Sequence, residues 1–154
     1  MSLFNHTYEI KGKHAQLVKE LTKQDKLNCR NIDIFFMSLA LGIKHKKETF
    51  ADIKSKEEPA KIDSEQMVKY NDDIEFFYKL IMLTDKNYCP SSEERCNKAF
   101  RYINTEKAEK DEEHFTKVML GGLEYLYEQI AENTLSLKDI YNNIKDFDER
   151  YDEE

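Results

Sequence analysis

Asp111 and His114 stand three residues apart in a stretch with helical spacing, which puts both on one helix face. That is how helical bundles offer a carboxylate and an imidazole to a metal ion, and Glu112 or Glu113 could join them. A two-metal bundle needs a comparable Glu-x-x-His pair on a second helix, and His6, His14 and His45 have none. The expectation is a solvated charged face with no cofactor, Asp111 and His114 remaining the only metal candidates. Cys29 lies beside Arg30, and Cys89 and Cys96 flank an expected helix start, places where a thiol can become reactive. No His and Asp or Asn constellation is readable around any of the three, so they are expected to be ordinary thiols. The chain also lacks a Gly-rich phosphate loop, His-Glu-x-x-His, Cys-x-x-Cys and Gly-x-Ser-x-Gly. A metal- or thiol-dependent helical-bundle hydrolase therefore stands as an alternative to a non-enzymatic binding protein.

The cationic residues are more informative. Lys11, Lys13, His14, Lys19, Lys23, Lys26 and Arg30 precede a strongly apolar run, and Lys44, His45, Lys46 and Lys47 follow it. Residues 1–56 carry eleven Lys/Arg against six Asp/Glu, or +5, and residues 57–154 carry thirteen against twenty-five, or -12, which together give the net charge of -7. Halves of opposite sign can attract each other or face different partners. Arg30 and Lys44 to Lys47 are the expected partner-binding residues, facing an acidic protein or, alternatively, nucleic acid phosphates in a salt-dependent way. No helix-turn-helix pattern is evident, and the acidic half would repel DNA. Arg30 and Asp33, three apart, could instead form a capping ion pair. A second copy of the chain is a further candidate partner.

These residues have to be positioned by helices. A chain of 154 residues is of single-domain size, and 36% charged residues with only four Gly and two Pro favour an all-α architecture. Between Ile32 and Ile43 nine of twelve residues are apolar, which predicts a helix over about 31–44 buried on nearly all sides, with Asn31 as N-cap. Around it are expected a helix from His14, one or two turns over Ser64 to Tyr70, and a helix from Ile74 to Thr84. Ser91-Ser-Glu-Glu94 should cap a short helix through Phe100 and Ile103, and a long helix should span Thr105 to Ala131. A last helix is expected from Ser136, with Ile140, Ile144, Phe147 and Tyr151 on one face. The whole is expected to be one bundle of five or six helices.

Residues 1–12 are expected to form an extended arm or short strand, and the acidic residues 146–154 to fray. Phe50, Ile53 and Ile62 should pin the 48–63 connection to the body. Gly121-Gly122 inside the long helix costs about 1 kcal/mol per glycine, which implies close approach by another helix, the apolar one being the candidate. The apolar run is too short to cross a bilayer, and Met1-Ser2-Leu3-Phe4 has neither the charged start nor the apolar run of a secretory leader, so a cytoplasmic location with reduced thiols is expected.

Arg30-Asn-Ile-Asp-Ile-Phe-Phe-Met-Ser-Leu-Ala-Leu-Gly-Ile-Lys44, followed by basic residues and later by Gly121-Gly-Leu-Glu-Tyr-Leu126, resembles small helical bacterial proteins found beside DNA-phosphorothioation and other phage-defence genes. Val118-Met-Leu-Gly-Gly122 stands where those proteins have a more polar run. The resemblance implies a genomic setting and transfers no catalytic residue. An accessory or regulatory binding protein of such a system, docking through its basic surface, is the function expected.

Overall fold

The computed structural model of the chain describes residues 5–132. In order they form β1 (Tyr8–Ile10), α1 (Gly12–Leu21), α2 (Asn31–His45), β2 (Ala60–Ile62), α3 (Ser64–Lys69), α4 (Asn71–Thr84), α5 (Ser92–Phe100) and α6 (Glu109–Tyr127). A 3-10 turn, Glu106–Ala108, leads into α6, and a π-helical turn, Glu128–Glu132, follows it. The architecture is the all-α bundle expected, with one minor two-stranded sheet. The helix expected from Ser136 and the acidic tail lie outside the described residues.

The core is organised by α2 against α6, which run side by side in the same direction: Phe35 meets Phe115, Ser38 and Gly42 meet Gly122, and His45 meets Tyr125. A Cβ added at Gly122 would run into the Ser38 carbonyl oxygen, and one at Gly42 into the Val118 carbonyl oxygen. The glycines thus let two backbones touch, as the Gly121-Gly122 pair implied. Gly42 is therefore an interior contact residue of α2, which terminates four residues later at Lys46 in a left-handed conformation (φ 51°). Around this pair Ile32, Ile34, Leu39, Met119, Leu123 and Leu126 are buried, each contributing about 1.5–3 kcal/mol of apolar transfer.

Three local expectations are corrected. Arg30, not Asn31, is the N-cap of α2: its backbone N–H donates to Asp33 Oδ2 (3.0 Å), while the Asn31 amide donates to the Lys61 carbonyl (2.8 Å). Nor is α2 buried on nearly all sides. α4 reaches only its N-terminal half, where Phe36 packs on Tyr70 and Phe77, so Met37 and Leu41 are half-buried and Ala40 is exposed. Finally, Phe50 and Ile53 do not pin the 48–63 segment, being 76% and 87% exposed; only Ile62 is buried, in β2.

Polar bonds hold that segment instead. The Thr49 N–H donates to the Lys117 carbonyl (3.0 Å), and Asp52 accepts from the backbone N–H groups of Lys13, Lys54 and Ser55. Asp52 thereby serves the N-terminus of α1 from forty residues away, and these backbone donors hold its carboxyl below the usual range. β2 then pairs antiparallel with β1, Tyr8 opposite Ile62 and Ile10 opposite Ala60, so the N-terminal segment is a strand tied into the body.

Candidate functional site

Asp111 and His114 do share a face of α6, but it is the inner one. Asp111 has no exposed surface and His114 almost none, so the solvated face expected for them is overturned. The reason is the wall opposite: the segment after α4 (Asp85 to Pro90) and the side of α5 close over this part of α6.

Each polar group in that wall has a defined task. Asp85, at the C-cap of α4, accepts the Tyr88 backbone N–H at Oδ1 (3.0 Å) and holds His114 Nε2 at Oδ2 (2.8 Å). The turn so formed lays the Tyr88 ring flat on the His114 imidazole, centroids 3.7 Å apart and planes within 2°. The Tyr88 hydroxyl donates to Asp111 Oδ1 (2.7 Å), and Lys98 of α5 donates to the same oxygen (2.7 Å) while its ammonium lies 5.4 Å from the Tyr88 ring centroid. Burial pushes the Tyr88 phenol far above its ordinary range, and its bond to the Asp111 carboxylate adds to that, so it stays a hydrogen-bond donor. Asp111 is thus a buried anion tied to one cation and one phenol.

His114 has a second neighbour. Glu48, three residues beyond the end of α2, brings Oε2 to 3.7 Å from His114 Nδ1; the Glu48 side chain is 60% exposed and that of His114 7%. Gly121 makes this placement, since a Cβ there would strike the backbone of Lys47 and Glu48. The Asp85 carboxylate can only accept, so Nε2 carries a proton, and Nδ1 is the ring nitrogen turned to Glu48. One ligand atom from each of Glu48, Asp85 and His114 lies within 4.8 Å of the others. Glu112 and Glu113 do not join this group. They line the outer side of α6, where with Phe50 and Lys117 they border an open groove of about 450 Å³.

The basic residues divide. Lys44, Lys46 and Lys47 are exposed around the left-handed turn that ends α2, His45 is stacked on Tyr125 (4.2 Å), and Lys47 reaches over the same ring (6.0 Å). Among the described residues none of the three lysines is paired with a carboxylate. Arg30 lies at the opposite end of α2, about 21 Å away at 1.5 Å per residue. Its guanidinium is clamped by both Asp33 oxygens at 3.0 Å and reaches the Tyr70 hydroxyl at 3.4 Å, so it acts as the capping ion pair and does not extend the lysine surface. His14 also leaves the basic set. It is fully buried against Glu124 (2.9 Å), and burial holds it below its ordinary pKa of 6.5, outweighing the opposing pull of Glu124.

Cys29 is half-buried, Cys89 buried and Cys96 exposed, none in a disulfide. Burial raises the Cys29 thiol, the opposite of what activation requires. Asp85, Tyr88 and Glu48 are the members of the cluster that spacing did not reveal. A sign was present for Asp85, since Asp85-Lys-Asn87 is turn-forming composition at the end of α4; for Tyr88 and Glu48 there was none. No described helix is long and apolar enough to cross a membrane. Comparisons with protein-family models, with curated proteins and with solved structures each find no match.

Proposed function

We propose that the chain is a non-enzymatic accessory or regulatory binding module that docks an acidic protein partner through Lys44, Lys46 and Lys47. The observation that carries this reading is that the three ammonium groups are exposed and unpaired among the described residues. They also project from a turn whose backbone is already fixed by the Gly121 contact and the Thr49 to Lys117 hydrogen bond. A fixed turn loses little conformational freedom on binding. The bacterial DNA-modification or phage-defence setting implied by the resemblance remains part of this proposal. Nucleic acid as the ligand of the same lysines is the second reading. A protein is favoured because no helix-turn-helix pattern is present to set these lysines against a DNA groove.

Fluorescence anisotropy tests the two readings, with the full chain titrated into labelled oligoglutamate peptide or into duplex DNA of unrelated sequence. Binding of the peptide at low salt, its steep weakening with added salt, and its loss when Lys44, Lys46 and Lys47 are together replaced by Ala are the expected results. Tighter binding of the duplex, lost in the same variant, would transfer the site to nucleic acid. No binding of either probe at low salt would end the docking proposal.

A further inference from the structure

We infer that His114 and Glu48 form a binding site for a borderline divalent cation such as Zn²⁺ or Co²⁺, with Asp85 as the carboxylate that orients the imidazole. This goes beyond the docking function and uses none of its lysines.

The geometry supports the inference at each member. Metal bonds to imidazole nitrogen and carboxylate oxygen are about 2.0–2.2 Å long, so two such donors on one tetrahedral ion stand roughly 3.3–3.6 Å apart. His114 Nδ1 and Glu48 Oε2 are 3.7 Å apart, too far for a hydrogen bond and close to the spacing of co-ligands. On the far side of the ring, the 2.8 Å bond from Nε2 to Asp85 is the carboxylate–histidine pairing that fixes the tautomer and raises the basicity of a ligating nitrogen. The Tyr88 stack fixes the ring plane, and Asp85 is itself held by the Tyr88 N–H. The imidazole is therefore fixed before any cation arrives.

Burial points the same way. His114 is almost enclosed, yet its Nδ1 faces the one exposed member of the group, Glu48, so this nitrogen is turned to the surface through which an ion would enter. Two protein donors leave the remaining positions to water or to a partner's ligand. An imidazole donor selects zinc-like ions over magnesium and calcium, which prefer oxygen alone. Asp111, the residue first paired with His114 as a metal candidate, does not join the group of Glu48, Asp85 and His114, and its Oδ1 is held by Lys98 and Tyr88.

Titration of the metal-free 154-residue chain with Co²⁺, followed by absorbance, and with Zn²⁺, followed by calorimetry, tests the site. One equivalent should bind, without the near-ultraviolet thiolate band that ligation by Cys29, Cys89 or Cys96 would give. Glu48→Gln and His114→Gln should each weaken binding at least tenfold, and Asp85→Asn by about 10–100-fold. Glu48 is exposed, so its variant should keep the wild-type circular dichroism and unfolding midpoint even if His114→Gln does not fold. The triple lysine variant should bind the ion as wild type does, which separates failure of this site from failure of the docking proposal. No saturable binding, a thiolate band, or undiminished affinity in folded Glu48→Gln would each overturn the inference.

Discussion

Replacing Gly122 by alanine tests the contact on which the core depends. In an exposed helix the change would be favourable by about 1 kcal/mol, because alanine costs less backbone entropy than glycine. Here the new methyl carbon would run into the Ser38 carbonyl oxygen and stand 2.7 Å from the Gly42 nitrogen, both backbone atoms of α2. Backbone cannot step aside as a side chain can, so α2 and α6 must part by more than 1 Å. A gap of 0.5–1 Å already forfeits a quarter to a half of a dispersion contact. The loss would be shared by Phe35, Leu39, Phe115, Val118 and Leu123 along the same seam. Against large-to-small core substitutions at about 2–5 kcal/mol, and after subtracting the propensity gain, the net destabilisation should be about 1–4 kcal/mol. Urea unfolding followed by circular dichroism should show a lower midpoint with an unchanged slope. A Gly122→Ala protein as stable as wild type would mean that the two backbones do not meet there.

His14 is held below its ordinary pKa by burial, so the unfolded chain takes up the proton first as pH falls through about 6.5. Its contribution to stability is complete above that value and declines below it, with Glu124, Lys13 and Asp52 as the charged groups facing it; urea midpoints at pH 7.5 and 5.5 should differ less in His14→Gln than in wild type. Lys98→Met leaves buried Asp111 with only the Tyr88 hydroxyl and should cost about 3 kcal/mol, the range for breaking a buried ion pair, whereas Lys98→Arg should recover much of it by thermal unfolding. Gly121→Ala should displace the backbone of Lys47 and Glu48, weakening cation binding and oligoglutamate binding together, and separate titrations in which either is unchanged would refute the shared placement.

The helices were legible because their signals are local. The apolar period of α2, the Ser91 cap, whose hydroxyl accepts the Glu94 N–H (3.3 Å), and the glycine pair all reported themselves within a few residues. What was not legible depends on pairings distant in sequence. Charged residues in the first turns of α6 read as solvated because nothing nearby shows that Tyr88 and Lys98 will cover Asp111. Phe50 and Ile53 read as anchors because apolar residues usually are, whereas Asp52 between them holds the segment by capping α1. Arg30 and Lys44 to Lys47, at opposite ends of α2, could form one surface only with α1 folded alongside, and the bonds that tie Arg30 to Asp33 keep it with the helix start instead.

A single crossing explains how one stretch of chain serves both candidate sites. The backbone of Lys47 and Glu48 lies on α6 at Gly121, the only residue type whose surface allows it that close. From there the two side chains diverge along α6, Lys47 reaching Tyr125 toward its C-terminal end and Glu48 reaching His114 toward its N-terminal half. The signs follow the helix dipole, the cation toward the negative end and the anion toward the positive one, although the effect is largest in the terminal turns and so favours Lys47 more than Glu48. Opposite charges on adjacent residues would ordinarily screen each other in solvent. Separated by the crossing, each acts on its own end of α6, the lysine within a cationic turn and the glutamate beside an imidazole. The glycine that reads as a weakness in the helix is thus what allows a basic surface and a carboxylate–histidine pair to be built from consecutive residues.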